Sequence, residues 1–132
     1  MLKKLFSRKK SARRVLIVED DALLSRAMAE SLKAEKVEVL VVGNGSNVLA
    51  EAIRFSPKVI LLDLILPGID GFMVLKQLKE EIKTKNIPVA VVSNLDQISD
   101  VKSAKTLGAD QYFLKANTKI NIIIQYVKDK LK

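Results

Sequence analysis

Five short runs rich in apolar residues, three of them apolar at every position, alternate with longer stretches in which apolar residues recur at helical spacing. Consecutive apolar positions are typical of strands buried on both faces, and the longer stretches have the periodicity of amphipathic helices. The predicted strands are residues 15–18, 37–42, 59–62, 89–92 and 111–114. The predicted helices are the stretch after Asp21, a stretch from 46 or 47 to 55, and residues 72–83, 96–107 and 118–131.

Regular alternation of strands and helices predicts an α/β fold, with a parallel sheet covered by helices on both faces. Right-handed crossovers then restrict the topology to a doubly wound, five-stranded sheet with five helices. In such folds ligands bind beyond the carboxyl ends of the strands. The residues that directly follow each strand are therefore the candidates for chemistry.

The net charge of +8 is concentrated at the start of the chain. Residues 1–14 contain seven cations and no acid, whereas the remaining residues contain 16 cations and 15 acids. We expect a basic, disordered tail over residues 1–14 and one folded domain over residues 15–132. No apolar run approaches the roughly 20 residues that cross a bilayer, and the start lacks the apolar core of a secretory signal. A cytoplasmic location is the expectation.

The chain contains neither cysteine nor histidine. Disulfides, thiolate or imidazole metal sites and Ser-His-Asp triads are therefore excluded. A bound metal must have oxygen ligands, which favours Mg²⁺, Mn²⁺ or Ca²⁺.

Polar side chains follow four of the five predicted strands. Carboxylates gathered in one cleft repel one another unless a cation neutralises them. An aspartate beside such a metal can attack phosphorus, and the metal, an ammonium and a hydroxyl can together hold the phosphoryl oxygens. The residues at these strand ends are Glu19, Asp20 and Asp21, then Asp63, Ser93 and Lys115.

Asp21 and Asp70 have simpler interpretations. Aspartate is a preferred N-cap residue, so Asp21 is predicted to cap the first helix rather than to bind a ligand. Asp70-Gly71 is predicted to form the turn that starts the third helix.

Four stretches, VLIVEDDALL, VILLDLILPGIDGF, PVAVVSN and GADQYFLK, resemble the receiver domain of bacterial response regulators over about residues 14–131. The resemblance implies a flavodoxin-like receiver fold. It also implies that Asp63 accepts a phosphoryl group from a histidine kinase or a phosphotransfer protein. Since the sequence ends at Lys132, directly after the last predicted helix, we expect no output domain and expect the output to be docking to another protein.

The resemblance also assigns roles around Asp63. It implies a Mg²⁺ site, which Mn²⁺ could also occupy, formed by Glu19, Asp20, Asp63 and the backbone carbonyl of Ile65. Further roles fall on Ser93 as phosphoryl-oxygen ligand and switch residue, Lys115 as the site lysine, and Tyr112 as the switching aromatic.

The chain departs from the family pattern after Lys115. Ala116 stands where a proline, often in a cis bond, is usual, so we predict a trans peptide bond here. In the family, the side chains two residues past the acceptor and the serine flank the path of attacking water. Ile65 and Leu95 occupy these positions and cannot orient water. We therefore expect a switch that dephosphorylates itself slowly, and not a turnover enzyme.

Other functions remain open at this point. The basic tail could bind nucleic acid weakly, the start MLKKLF could lie on a membrane surface, or the tail could serve solubility alone. A phosphatase is disfavoured, because the acid expected two residues after its nucleophile is replaced by Ile65. Dimerisation on phosphorylation is also left open.

Overall fold

The computed structural model describes residues 13–132. Residues 1–12, which make up most of the predicted tail, lie outside the described residues. The strands form one parallel sheet in the order β2-β1-β3-β4-β5, which confirms the doubly wound prediction. Their bounds are β1 Arg14–Val18, β2 Glu38–Val42, β3 Val59–Leu62, β4 Val89–Ser93 and β5 Gln111–Leu114.

Within residues 13–132, five α-helices cover the sheet. One short 3₁₀ helix, Gly45–Asn47, directly precedes the second α-helix, and another, Lys115–Asn117, directly follows β5. The third helix ends three residues before the predicted end, because Glu81 adopts an extended backbone. The Thr84 hydroxyl there turns back to donate to the Leu78 carbonyl at 2.6 Å. The helices are α1 Ala22–Lys33, α2 Val48–Phe55, α3 Gly71–Glu80, α4 Ile98–Thr106 and α5 Ile120–Lys130.

Each face of the sheet has its own apolar core. Within β1, Leu16 and Val18 pack with residues of α2, α3 and α4, whereas Val15 and Ile17 pack with residues of α1 and α5. Successive side chains of a strand point to opposite faces, so both faces can be covered only if every position is apolar. This is why residues 15–18, 59–62 and 89–92 of the three central strands are unbroken apolar runs, whereas the edge strands β2 and β5 include Glu38 and Gln111.

The loops after β2 and β3 meet through their backbones. The Gly45 N–H donates to the Pro67 carbonyl at 3.0 Å, and a Cβ at Gly45 would overlap the Ile69 carbonyl. Gly68 has a φ of +82°, a conformation that favours glycine. The loop that leaves Asp63 is thereby fixed to the start of α2.

Within residues 13–132, no helix has the length and apolar character needed to cross a bilayer.

Candidate functional site

Parallel pairing brings the candidate residues to one edge of the sheet. Val18 pairs with Leu62, so the residues that follow β1 and β3 emerge side by side. Ser93 pairs with Leu114, which places Lys115 beside the end of β4. The strand ends thus converge as the sequence predicts.

Asp63 is buried at the centre of this edge, with 4% of its surface exposed. Its backbone N–H donates to the Val18 carbonyl at 2.9 Å. One carboxylate oxygen, Oδ1, accepts from the Ile65 N–H at 3.0 Å, and the other, Oδ2, accepts from Lys115 Nζ at 2.8 Å. Both oxygens therefore have a donor that fixes the orientation of the carboxylate.

Lys115 bridges two buried carboxylates. Its Nζ lies 2.8 Å from Glu19 Oε1 as well as from Asp63 Oδ2. Glu19 is only 3% exposed, and its Oε2 accepts from the Asp21 N–H at 3.1 Å. The contact between Glu19 and Lys115 was not predicted, since nothing in the sequence indicates which acid a distant lysine will reach.

Burial and charge act against each other in this pair. Burial raises the pKa of Glu19, and the neighbouring Asp63 charge acts in the same direction against the lowering effect of Lys115. Burial acts to lower the pKa of Lys115, but its hydrogen bonds to Asp63 and Glu19 outweigh burial and leave that pKa raised. The ammonium is therefore held in its charged form.

Three carboxylates share this edge with one ammonium. Oxygens of Glu19, Asp20 and Asp63 lie within 4.8 Å of one another, and Asp20 is exposed to solvent. Among residues 13–132, Lys115 is the cation in contact with them, so the ionised set is left with a net charge of −2. An all-oxygen set with excess negative charge fits a hard divalent cation. Ile65 lies in the adjoining loop, two residues past Asp63.

Ser93 and Tyr112 meet at the backbone of Leu95. Ser93 is completely buried, and its Oγ accepts from the Leu95 N–H at 3.3 Å. The Tyr112 hydroxyl donates to the Leu95 carbonyl at 2.6 Å, and burial, with a contribution from the Asp100 charge, raises the pKa of Tyr112. The loop after β4 is thus tied to β5 through one residue, a contact for which the sequence carries no signal.

The two aspartates interpreted as caps lie at helix starts. Asp21 Oδ1 accepts from the N–H groups of Leu23 and Leu24. Asp70 Oδ1 accepts from Phe72 and Met73 in the same way at the start of α3. The N-cap prediction for Asp21 and the helix-start prediction for Asp70 are both confirmed.

The peptide bond between Lys115 and Ala116 is trans, as predicted. Lys115 itself opens the 3₁₀ helix Lys115–Asn117. Of the two side chains predicted to flank the path of water, Ile65 is 54% exposed and Leu95 is partly buried.

Comparison with known proteins identifies a family. The family model described as the response regulator receiver domain matches residues 15–127. Response regulator PleD of Caulobacter vibrioides is 37% identical over 102 residues, which are 77% of this chain and 22% of that protein. The chain therefore spans about a fifth of the length of that relative.

Two further matches cover most of this chain and most of the matched protein. Protein PilH of Pseudomonas aeruginosa is 34% identical over 102 residues, 77% of this chain and 84% of PilH. The crystal structure of the Mn²⁺-bound form of response regulator Rcp1 superposes with a TM-score of 0.72 at 29% identity, and the match covers 89% of this chain and 90% of Rcp1.

Proposed function

Because the chain belongs to the response regulator receiver domain family, we propose that it is a phosphorylation switch whose phosphoryl acceptor is Asp63. Receiver domains are signalling switches of two-component systems. They bind a divalent metal and receive their phosphoryl group from histidine kinases or phosphotransfer proteins. The proposal assigns these general properties to particular residues of this chain.

The environment of the Asp63 carboxylate carries the proposal. Asp63 is almost fully buried, yet it sits beside two other carboxylates and is held by Lys115 and the Ile65 N–H. A purely structural acid would be neutralised by its partners, because an uncompensated buried charge is costly. The excess negative charge instead favours a site that takes up a cation and a reactant.

The proposed reaction moves one phosphoryl group. An oxygen of Asp63 forms a bond to phosphorus while the bond between phosphorus and the donor's imidazole nitrogen breaks. That nitrogen keeps the electron pair and takes a proton from solvent. The buried ammonium of Lys115 lies at hydrogen-bond distance from Asp63, so it can stabilise the charge on the phosphoryl oxygens without large movement.

Glu19, Asp20, Asp63 and the carbonyl of Ile65 are the proposed metal ligands, with Mg²⁺ as the resident ion and Mn²⁺ as a substitute. When bound, the ion supplies positive charge that balances the carboxylates and the incoming phosphoryl group. The Mn²⁺-bound relative supports this choice, since Mn²⁺ and Mg²⁺ prefer the same oxygen ligands. Asp20, the exposed member, offers its carboxylate to an ion arriving from solvent.

Ser93 and Tyr112 are proposed to relay the phosphorylated state. A phosphoryl oxygen would accept from the Ser93 hydroxyl, and movement of Ser93 Oγ toward the phosphoryl group would lengthen the hydrogen bond that it accepts from the Leu95 N–H. Any movement of Leu95 also acts on the Tyr112 hydroxyl bonded to its carbonyl. The resulting change in the loop after β4 and in β5 is the proposed signal to a docking protein in the cytoplasm.

The test is phosphorylation with a small donor. The full chain is incubated with acetyl phosphate and Mg²⁺, and the intact mass is followed with time. The wild type should gain the mass of one phosphoryl group, and Asp63→Asn should gain none over the same time.

Asp70→Asn is the matched control, because asparagine caps a helix about as well as aspartate. It should be phosphorylated like the wild type. Phosphorylation of Asp63→Asn at the wild-type rate would show that another residue is the acceptor.

A further inference from the structure

Charge is distributed unevenly between the two edges of the sheet. We define the strand-start face as the edge opposite Asp63, formed by residues 13–14, 33–38, 54–58, 79–88, 105–110 and 128–132, where helices end and strands begin. It contains 13 cations and six acids, whereas the other described residues contain five cations and nine acids. The domain is therefore bipolar, with its basic end turned away from the candidate site.

Several cations of this face are exposed and unpaired within residues 13–132. Lys36, Lys58, Lys83 and Lys85 are exposed, and none forms an ion pair with a described residue. The Lys58 N–H donates to the Arg14 carbonyl at 2.8 Å, which places its connection beside the start of β1. Unpaired lysines on one surface attract anions together.

An apolar side chain protrudes among these lysines. Ile82 is 74% exposed and directly precedes Lys83 in the connection between α3 and β4. Ile82 lies between Glu81 and Lys83, and an exposed aliphatic side chain near cations can insert into the boundary between lipid headgroups and acyl chains. It has no corresponding role against a nucleic-acid backbone, which is contacted through charge and hydrogen bonds.

The basic start of the chain joins this same face. Residues 1–12 contain five cations, no acid and four large apolar residues, Met1, Leu2, Leu5 and Phe6. They are bonded to Arg13, which lies on the strand-start face. Arg8, Lys9 and Lys10 are within five residues of Arg13, a span of at most about 18 Å, so these three cations stay near the face whatever conformation the segment has.

We propose that the strand-start face binds the surface of a bilayer that contains anionic phospholipids. The lysines contact the headgroups, and Ile82 enters the boundary with the acyl chains. Asp63, at the opposite edge of the sheet, then faces the aqueous phase and remains accessible to a phosphoryl donor. The proposal is independent of the role assigned to Asp63.

Vesicle sedimentation of the full chain tests the proposal. The protein should sediment with vesicles that contain phosphatidylserine and not with vesicles of phosphatidylcholine alone, and added salt should weaken binding. Replacing Lys58, Lys83 and Lys85 together by glutamate should lower the partition coefficient more than about tenfold, because each cation near such a surface contributes up to about fivefold. Ile82→Ser should lower it about fivefold.

The matched control replaces Arg26, Lys76 and Lys102 together by glutamate. These residues change the net charge equally, are exposed, and lie within α1, α3 and α4 away from the strand-start face. This variant should retain most of the binding. Thermal unfolding of each variant by circular dichroism checks that all are folded.

Three results would overturn the proposal. The first is equal binding by the face variant and the wild type, which would assign binding to residues 1–12 alone. The second is equal loss in the control variant, which would mean that net charge alone is responsible. The third is binding to duplex DNA, unaffected by Ile82→Ser, without binding to vesicles. The orientation, with Asp63 facing the aqueous phase, is tested by phosphorylation of vesicle-bound protein with acetyl phosphate. A rate equal to that of the free protein would support this orientation, and loss of phosphorylation on binding to vesicles would contradict it.

Discussion

Lys115 and Lys79 lie at opposite edges of the sheet and are almost equally buried, with side chains 16% and 17% exposed. Lys115 contacts two carboxylates that are themselves buried, at 2.8 Å each. Lys79 donates to the carbonyl of Ile87 at 2.9 Å and to that of Lys85 at 3.4 Å. Its one carboxylate partner, Asp110, is 44% exposed and 3.4 Å away.

The difference separates a structural contact from a contact in the proposed site. Lys79 satisfies neutral carbonyls of the connection before β4, and nothing that binds from solution can take over that role. Lys115 instead neutralises charge, and a cation that binds Glu19 and Asp63 can share this task. The two lysines are therefore distinguished by the charge of the groups that accept their hydrogen bonds, and not by their burial.

The largest expected effect is on metal affinity. Asp20→Ala should weaken Mg²⁺ binding roughly a hundredfold, since even residues that only support a ligand contribute about 10–100-fold. Asp110→Ala removes the acid beside the other lysine and should leave the affinity unchanged. Calorimetric titration of both variants measures this, and unchanged affinity in Asp20→Ala would remove that residue from the proposed site.

Replacement of the two lysines should lower the free energy of unfolding in both cases, but Mg²⁺ should affect only the decrease caused by replacing Lys115. Lys79→Met should lower the free energy of unfolding by about 1–3 kcal/mol, because it leaves the Ile87 carbonyl without its donor. This loss should be the same with and without Mg²⁺. Without Mg²⁺, the Lys115→Met variant should have a lower free energy of unfolding than the wild type. Binding of the ion should restore part of this difference.

Urea unfolding of each variant at two Mg²⁺ concentrations, against the wild type under the same conditions, decides between these behaviours. An equal response of the two variants to Mg²⁺ would end the distinction between the lysines.

A smaller effect is expected on the lifetime of the phosphorylated form. Ile65→Asn combined with Leu95→Glu should accelerate hydrolysis about tenfold, or 1.4 kcal/mol in barrier, by supplying groups that orient water. Ile82→Asn, a substitution of another exposed isoleucine at the other edge, should leave the lifetime unchanged. Decay is followed by intact mass in Mg²⁺ after donor removal, and decay no faster in the double variant would rule out this explanation.

The smallest effect concerns the two tyrosines. Tyr112→Phe loses the hydrogen bond to the Leu95 carbonyl and should destabilise the domain by about 1 kcal/mol. The hydroxyl of Tyr126 is buried without a partner among the described residues. Tyr126→Phe should therefore leave the stability unchanged or raise it. Thermal unfolding of both variants measures their stabilities, and an equal decrease in the two variants would contradict the predicted difference between the tyrosines.

Strand positions and the edge that gathers the candidate residues were predictable from the sequence. Runs such as residues 59–62 are apolar at every position because both faces are covered, and parallel strands bring Asp63 and Lys115 to one edge without knowledge of any side chain. Helix ends were less predictable. The extended backbone at Glu81 that ends α3 depends on tertiary contacts of the next connection.

The pairings across long separations could not be predicted. Lys115 reaches Asp63 over 52 positions, and Lys79 reaches Asp110 over 31. The sequence contains several acids that either lysine could have reached. Which one it contacts depends on loop paths, such as the left-handed Gly108, where a Cβ would lie 2.9 Å from Lys79 Cγ.

The hydrogen bond from Gly45 to Pro67 has a practical consequence for measuring this domain. The Gly45 amide belongs to the loop after β2, but its protection against hydrogen–deuterium exchange depends on the loop that follows Asp63. Opening of that second loop would release the Gly45 proton without any change in the strand that precedes it. The exchange rate of this single amide therefore provides a native, label-free reporter of the segment next to Asp63.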